Sequence, residues 1–97
     1  MHAVVNHLHF TKPVDEFRDA IQKEVLPILS GCSGFLGFHL VKVDEYNAIV
    51  LIIWEDATAA QAGAKLIGPS WFAPNIKPFL AAPEDRKTGD IIVSSYQ

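Results

Sequence analysis

Cysteine is nearly absent: Cys32 is the single one in 97 residues. That excludes an internal disulfide and any cysteine spacing for a metal, so Cys32 reads as a buried bystander. Histidine ends at His39, which leaves the second half of the chain without an imidazole. Basic residues are few, 8 against 11 acidic for a net charge of -3 at pH 7. No basic stripe exists to neutralise phosphates, and a nucleic-acid partner is not expected. No apolar run approaches the roughly 18 residues of a membrane span. The opening MHAVVNHLHF lacks both a basic start and a long apolar core. No secretory signal is therefore expected, and a cytoplasmic location is. A glycine-rich phosphate loop, a serine nucleophile elbow and a paired-carboxylate constellation are all missing.

Apolar residues, by contrast, are plentiful. They make up 49% of the chain with the six glycines uncounted, where an average domain shows about 45–50% with glycine included. One domain over 1–97 of this size buries only a little over about 60% of its unfolded surface. Self-association is the expected outlet for the excess, which makes a second copy of the chain the predicted partner.

The pattern centres on Ser33 to Trp54. Gly34 to Val43 alternates, with Phe35, Gly37, His39, Val41 and Val43 on one face and Leu36, Phe38, Leu40 and Lys42 on the other. Asp44 to Asn47 is a polar turn. Ala48 to Trp54 is a short, β-rich apolar run that fits a central strand covered on both faces. Before this hairpin, Ala3 to Phe10 predicts a strand with Val4, Asn6, Leu8 and Phe10 on one face. Val14, Phe17, Ile21, Val25, Ile28 and Leu29 then recur at helical spacing, with Pro13 in the first turn. Pro27 predicts a kink or a loosened last turn, and Gly31 a left-handed cap. After the hairpin, Asp56 caps a helix over Ala57 to Ile67 that Gly68-Pro69 stops. A short segment from Ser70, its cap, to Leu80 follows. Ala81 to Asp90 reads as a solvated loop, and Asp90 to Tyr96 as the last strand.

The resulting order, β-α-β-β-α-(α)-β, predicts an α+β, ferredoxin-like sandwich with both helices on one face of an antiparallel sheet. Trp54, Leu8, Phe10 and Phe38 are the apolar candidates for the other face, which a second sheet would cover.

The run Ser-Gly-Phe-Leu-Gly-Phe at 33–38, the strand ending Trp54-Glu55 and the helix after it resemble the antibiotic-biosynthesis monooxygenase (ABM) domain of the dimeric α+β barrel superfamily. The resemblance implies a homodimer with a pocket between sheet and helices in each protomer. It also implies oxidation of phenolic, quinol-type aromatics by O2 with no metal or flavin, and so no cofactor. A sister branch binds and degrades haem. It resembles this chain at Asn6 and Trp54 and carries its axial histidine near Asn75 or Ile76. The quinone-forming branch has an asparagine where this chain has Val50.

Asn6 is polar within an apolar strand face, and an unpartnered buried amide costs on the order of 1–3 kcal/mol. It is therefore a candidate to meet a ligand. Trp54 is placed to wall the pocket, and His39 has the chemistry of a proton acceptor. These three are the catalytic candidates. Leu8, Phe10, Phe38, Trp71, Phe72 and Ile76 are the candidates to bind a small hydrophobic or aromatic ligand, with Trp71 and Phe72 as its lid. His7 and His9, at i and i+2, point the same way, but no third metal ligand is marked and no metal is expected. Capture of a ligand without turnover, and haem binding, are the alternative functions.

Overall fold

The computed structural model describes residues 1–95. Strands β1 (His2–His9), β2 (Phe35–Lys42), β3 (Asn47–Trp54) and β4 (Asp85–Asp90) form one antiparallel sheet in the order β2-β3-β1-β4. Helical segments α1 (14–30) and α2 (57–75) pack on one side of it. This is the ferredoxin-like α+β arrangement that the element order predicts.

The periodicities explain which side is which. Val4, Leu8 and Phe10 are buried beneath the helices, as are Ala48 and Trp54 of the neighbouring strand. The four residues assigned from sequence to an uncovered face, Trp54, Leu8, Phe10 and Phe38, therefore face the helices. The physical reason is that the helix stripe of Val14, Phe17, Ile21, Val25 and Leu29 supplies their cover. What remains open is the opposite face, where Ile49, Leu51 and Ile53 of β3 lie between Val5 of β1 and Val41 of β2. Val5 and Val41 are 41% and 46% exposed.

Several local readings change. A bulge between Phe35 and Gly37 breaks the alternation of β2, so Phe35 joins Phe38 and Leu40 against the core while Leu36 turns outward. Gly31 ends α1 in right-handed geometry at φ -83°. The left-handed residue is Gly34, at φ 80°, where a Cβ would also come within 2.7 Å of Ala59. Only glycine meets both demands. The turn at 44–47 needs no glycine because the Asp44 carboxylate accepts from Tyr46 N at 3.0 Å and Asn47 N at 2.9 Å. The Asn47 side-chain amide and then the Tyr46 N–H hold that carboxyl below its usual value. A depressed folded-state value means the contribution is present at neutral pH and is lost as pH falls through it; acid loosens this turn.

Both helices carry a widened turn ahead of a proline. Leu26 N–H bonds to Ile21 O and Ala73 N–H to Gly68 O, each five residues back, and Pro27 and Pro74 follow at once. A proline ring in a regular helix presses on the carbonyl four residues earlier, and the wider π turn makes room for it. The helix beginning at Ala57 thus runs through Gly68-Pro69 to Asn75 rather than stopping there. Asp56 caps it, accepting from Ala59 N at 2.8 Å. Ser70 is no cap; its hydroxyl donates to the Leu66 carbonyl inside the segment.

The last strand differs most. DRKTGD pairs along β1 from Asp85 to Asp90, where the sequence predicts a solvated loop. An edge strand needs backbone partners on one side only, and its charges discourage pairing on the other. Beyond Asp90 the chain leaves the sheet, with Ile92 at 92% and Val93 at 85% exposure. The strand expected from Asp90 to Tyr96 is therefore not formed over residues 91–95, and Tyr96 lies outside the described residues.

Candidate functional site

A cavity of about 250 Å³ lies between the inner sheet face and the helices. This falls just below the roughly 300–1,000 Å³ of drug-sized ligand sites and well above the ~150 Å³ void that admits benzene.

Its floor is built by strand alternation. Val4, Asn6 and Leu8 come from β1, Val50, Ile52 and Trp54 from β3, and Phe38 from β2. Ile21 and Val25 of the first π turn and Trp71 and Phe72 of the second contribute the roof, with Ile76 behind them. The two π turns are tied together, because the Trp71 indole donates to Glu24 Oε1 at 3.1 Å. Trp54 is 1% exposed and meets Phe35 edge-on at 5.7 Å. A Cβ on Gly63 would fall 2.2 Å from the Trp54 ring. The indole therefore lies directly beneath α2, and this close approach is the reason for glycine at 63.

Polarity is concentrated at one end. Asn6, 8% exposed, donates from Nδ2 to Glu84 Oε2. Among the described residues its Oδ1 is the buried side-chain atom without a partner. Glu84 and Arg86 line the same end, and Arg86 sits directly across the ladder from Asn6. An orphaned carbonyl oxygen in an apolar cavity costs about 1–3 kcal/mol until a donor reaches it.

Of the residues singled out from sequence, the structure gathers Asn6, Trp54, Leu8, Phe38, Trp71, Phe72 and Ile76 around this cavity. Trp71 and Phe72 belong to a continuous helical roof, with Trp71 only 7% exposed. Phe10 is not part of the lining; it is core, stacked on Phe17 at 4.5 Å. His39 is also elsewhere. It pairs with Leu51 and shares that residue's face, the one opposite the cavity. His7, on that same outer face, bonds to Asn47 Oδ1 at 3.2 Å, and no cluster of three metal-ligating side chains occurs among the described residues. Sequence reasoning missed Glu84 and Arg86. Their i, i+2 spacing carries a strand period, but without apolar neighbours it read as solvent-facing charge.

The residues lining the cavity include no histidine, cysteine, methionine or tyrosine that could serve as an axial ligand to a haem iron.

No family model and no curated protein sequence matches the chain. Solved structures do. The fold is that of SnoaB, a cofactor-independent oxygenase from Streptomyces nogalater: TM-score 0.79 at 12% identity, covering 99% of this chain and 97% of that one. A variant of MhuD bearing two manganese protoporphyrin IX molecules per active site gives 0.72 at 18%, covering 97% of each chain. A dimeric ferredoxin-like protein from an uncultured marine organism gives 0.75 at 12%, again covering 97% of each.

Proposed function

We propose that this chain, which shares its fold with cofactor-independent oxygenases, works as a homodimer that oxidises a small phenolic or quinol-type aromatic with O2. The observation that carries the reading is the unpartnered Asn6 Oδ1, at the polar end of a largely apolar cavity that Trp54 also lines. A ligand hydroxyl donated to that oxygen removes its burial cost and fixes the ring's orientation within the cavity. In the resembled oxygenase branch an asparagine stands at the position of Val50. Here Val50 is the cross-strand partner of Asn6, so the amide is supplied from the adjacent strand at the same depth. The open face of Ile49, Leu51 and Ile53 supports the dimer, as does the dimeric neighbour of the same fold.

The chemistry balances without a further reductant. Anthrone plus O2 gives anthraquinone plus water: the methylene carbon loses four electrons, one oxygen atom enters the ring and the other leaves as water. Oxygen uptake with 1,8-dihydroxyanthrone, an anthrone that carries the phenolic hydroxyl the Asn6 contact requires, tests this. The wild type is expected to exceed the uncatalysed rate. Asn6→Ala is expected to lose roughly 10- to 100-fold, the equivalent of about 1–3 kcal/mol, and Trp54→Phe is expected to fall as well. Uptake at the uncatalysed rate in all three sinks the enzyme reading and leaves ligand capture.

A further inference from the structure

We propose that Glu84 is the proton acceptor of this site and that Arg86 meets the negative charge its action creates. The inference deepens the oxygenase reading and rests on it. Glu84 is the one carboxylate among the cavity-lining residues, and no histidine lines the cavity at all. His39 is removed to the far face of the sheet, so the base must come from elsewhere. Glu84 is half-buried and held in place by the Asn6 amide, which engages Oε2. Neither Glu84 nor Arg86, the latter solvent-exposed, takes part in a salt bridge among the described residues, so no charged side chain there competes with a ligand for either. The strand period places Arg86 on the cavity side of β4, opposite Asn6.

The roles follow from the geometry. Asn6 faces two ways, its N–H₂ fixing the Glu84 carboxylate and its oxygen awaiting a ligand hydroxyl. In anthrone the acidic hydrogen is on the methylene carbon. Glu84 takes that proton, and the electron pair of the broken C–H bond moves into the ring system to give an enolate. The Arg86 guanidinium stabilises the enolate oxygen. The enolate carbon bonds O2 and Glu84 returns its proton to the peroxide; Glu84 then takes the second methylene proton as the O–O bond breaks, leaving the new carbonyl and a hydroxide that this proton converts to water. The substrate class is thereby narrowed to aromatics that carry a hydroxyl donor and a separate, enolisable C–H.

Glu84→Gln keeps the size of the side chain and an acceptor for Asn6 Nδ2 but removes the base. With 1,8-dihydroxyanthrone and O2, its kcat is expected to fall at least about 100-fold, the usual contribution of a positioned base. Its affinity for 2-naphthol, a non-enolisable phenol read by calorimetry, is expected to change less than about threefold. Glu84→Gly supplies an independent check, because added formate is expected to restore part of its rate, which a purely structural role would not allow. Wild-type turnover that persists in Glu84→Gln, or no rescue by formate, overturns the assignment and leaves the oxygenase reading standing. A wild type with no turnover overturns both.

Discussion

Gly63→Ala is expected to lower the melting temperature by roughly 10 °C. Two opposing effects decide the size. Alanine gains up to about 1 kcal/mol of helix propensity over glycine within α2. Against this, its Cβ would stand 2.2 and 2.4 Å from two atoms of the Trp54 ring. Trp54 cannot retreat, because Phe35 closes on it edge-on and the sheet lies beneath. Overpacking of this kind costs about 1–3 kcal/mol and more when nothing yields. A net loss near 2 kcal/mol corresponds to about 8–16 °C in a domain of this size. Trp54→Phe in the same background is expected to recover most of the loss, giving a coupling within the 0.5–3 kcal/mol range of contacting residues. A Gly63→Ala protein that melts at or above the wild type would show that propensity outweighs the clash and that the indole is not pinned.

Leu51→Glu is expected to convert the proposed dimer to a monomer. Leu51 sits at the middle of the open face, flanked along β3 by Ile49 and Ile53 and across the ladders by Val5 and His39. In a lone chain this side chain is only half-buried, so a carboxylate there leaves the fold intact. In a two-fold contact the same change occurs on both partners, and two unpaired charges enter an apolar layer at several kcal/mol each. Sedimentation at tens of micromolar should show the dimer mass for wild type and half of it for Leu51→Glu, with unchanged circular dichroism. A wild type that sediments as a monomer contradicts the dimer outright.

Much of this architecture is legible in the sequence because it rests on burial. The period of β1, the apolar run of β3 and the stripe of α1 each follow from which side chains must leave water. What stays hidden depends on backbone relations between distant segments. Nothing in GCSG says which glycine turns left-handed; the contact with Ala59 decides for Gly34. The bulge between Phe35 and Gly37 accompanies the edge-on contact of Phe35 with its cross-strand partner Trp54. Pro27 and Pro74 announce trouble in a helix, but whether the helix breaks or widens is settled by what it packs against. β4 shows no apolar period because an edge strand is held by its ladder. That is why Glu84 and Arg86 escaped notice, whereas Asn6 and Trp54 stood out by contrast with their apolar surroundings. The location of His39 turns only on register, since a shift by one residue would aim it into the cavity.

The central claim is that an unpartnered amide oxygen selects a hydroxylated aromatic within this cavity, and one calorimetric comparison addresses it. Wild-type protein titrated with 2-naphthol and with naphthalene should bind the naphthol roughly 5- to 10-fold more tightly, as one added hydrogen bond of about 1–1.4 kcal/mol requires, and Asn6→Leu should erase that preference. Equal affinities in the wild type, or a preference that survives Asn6→Leu, would contradict it.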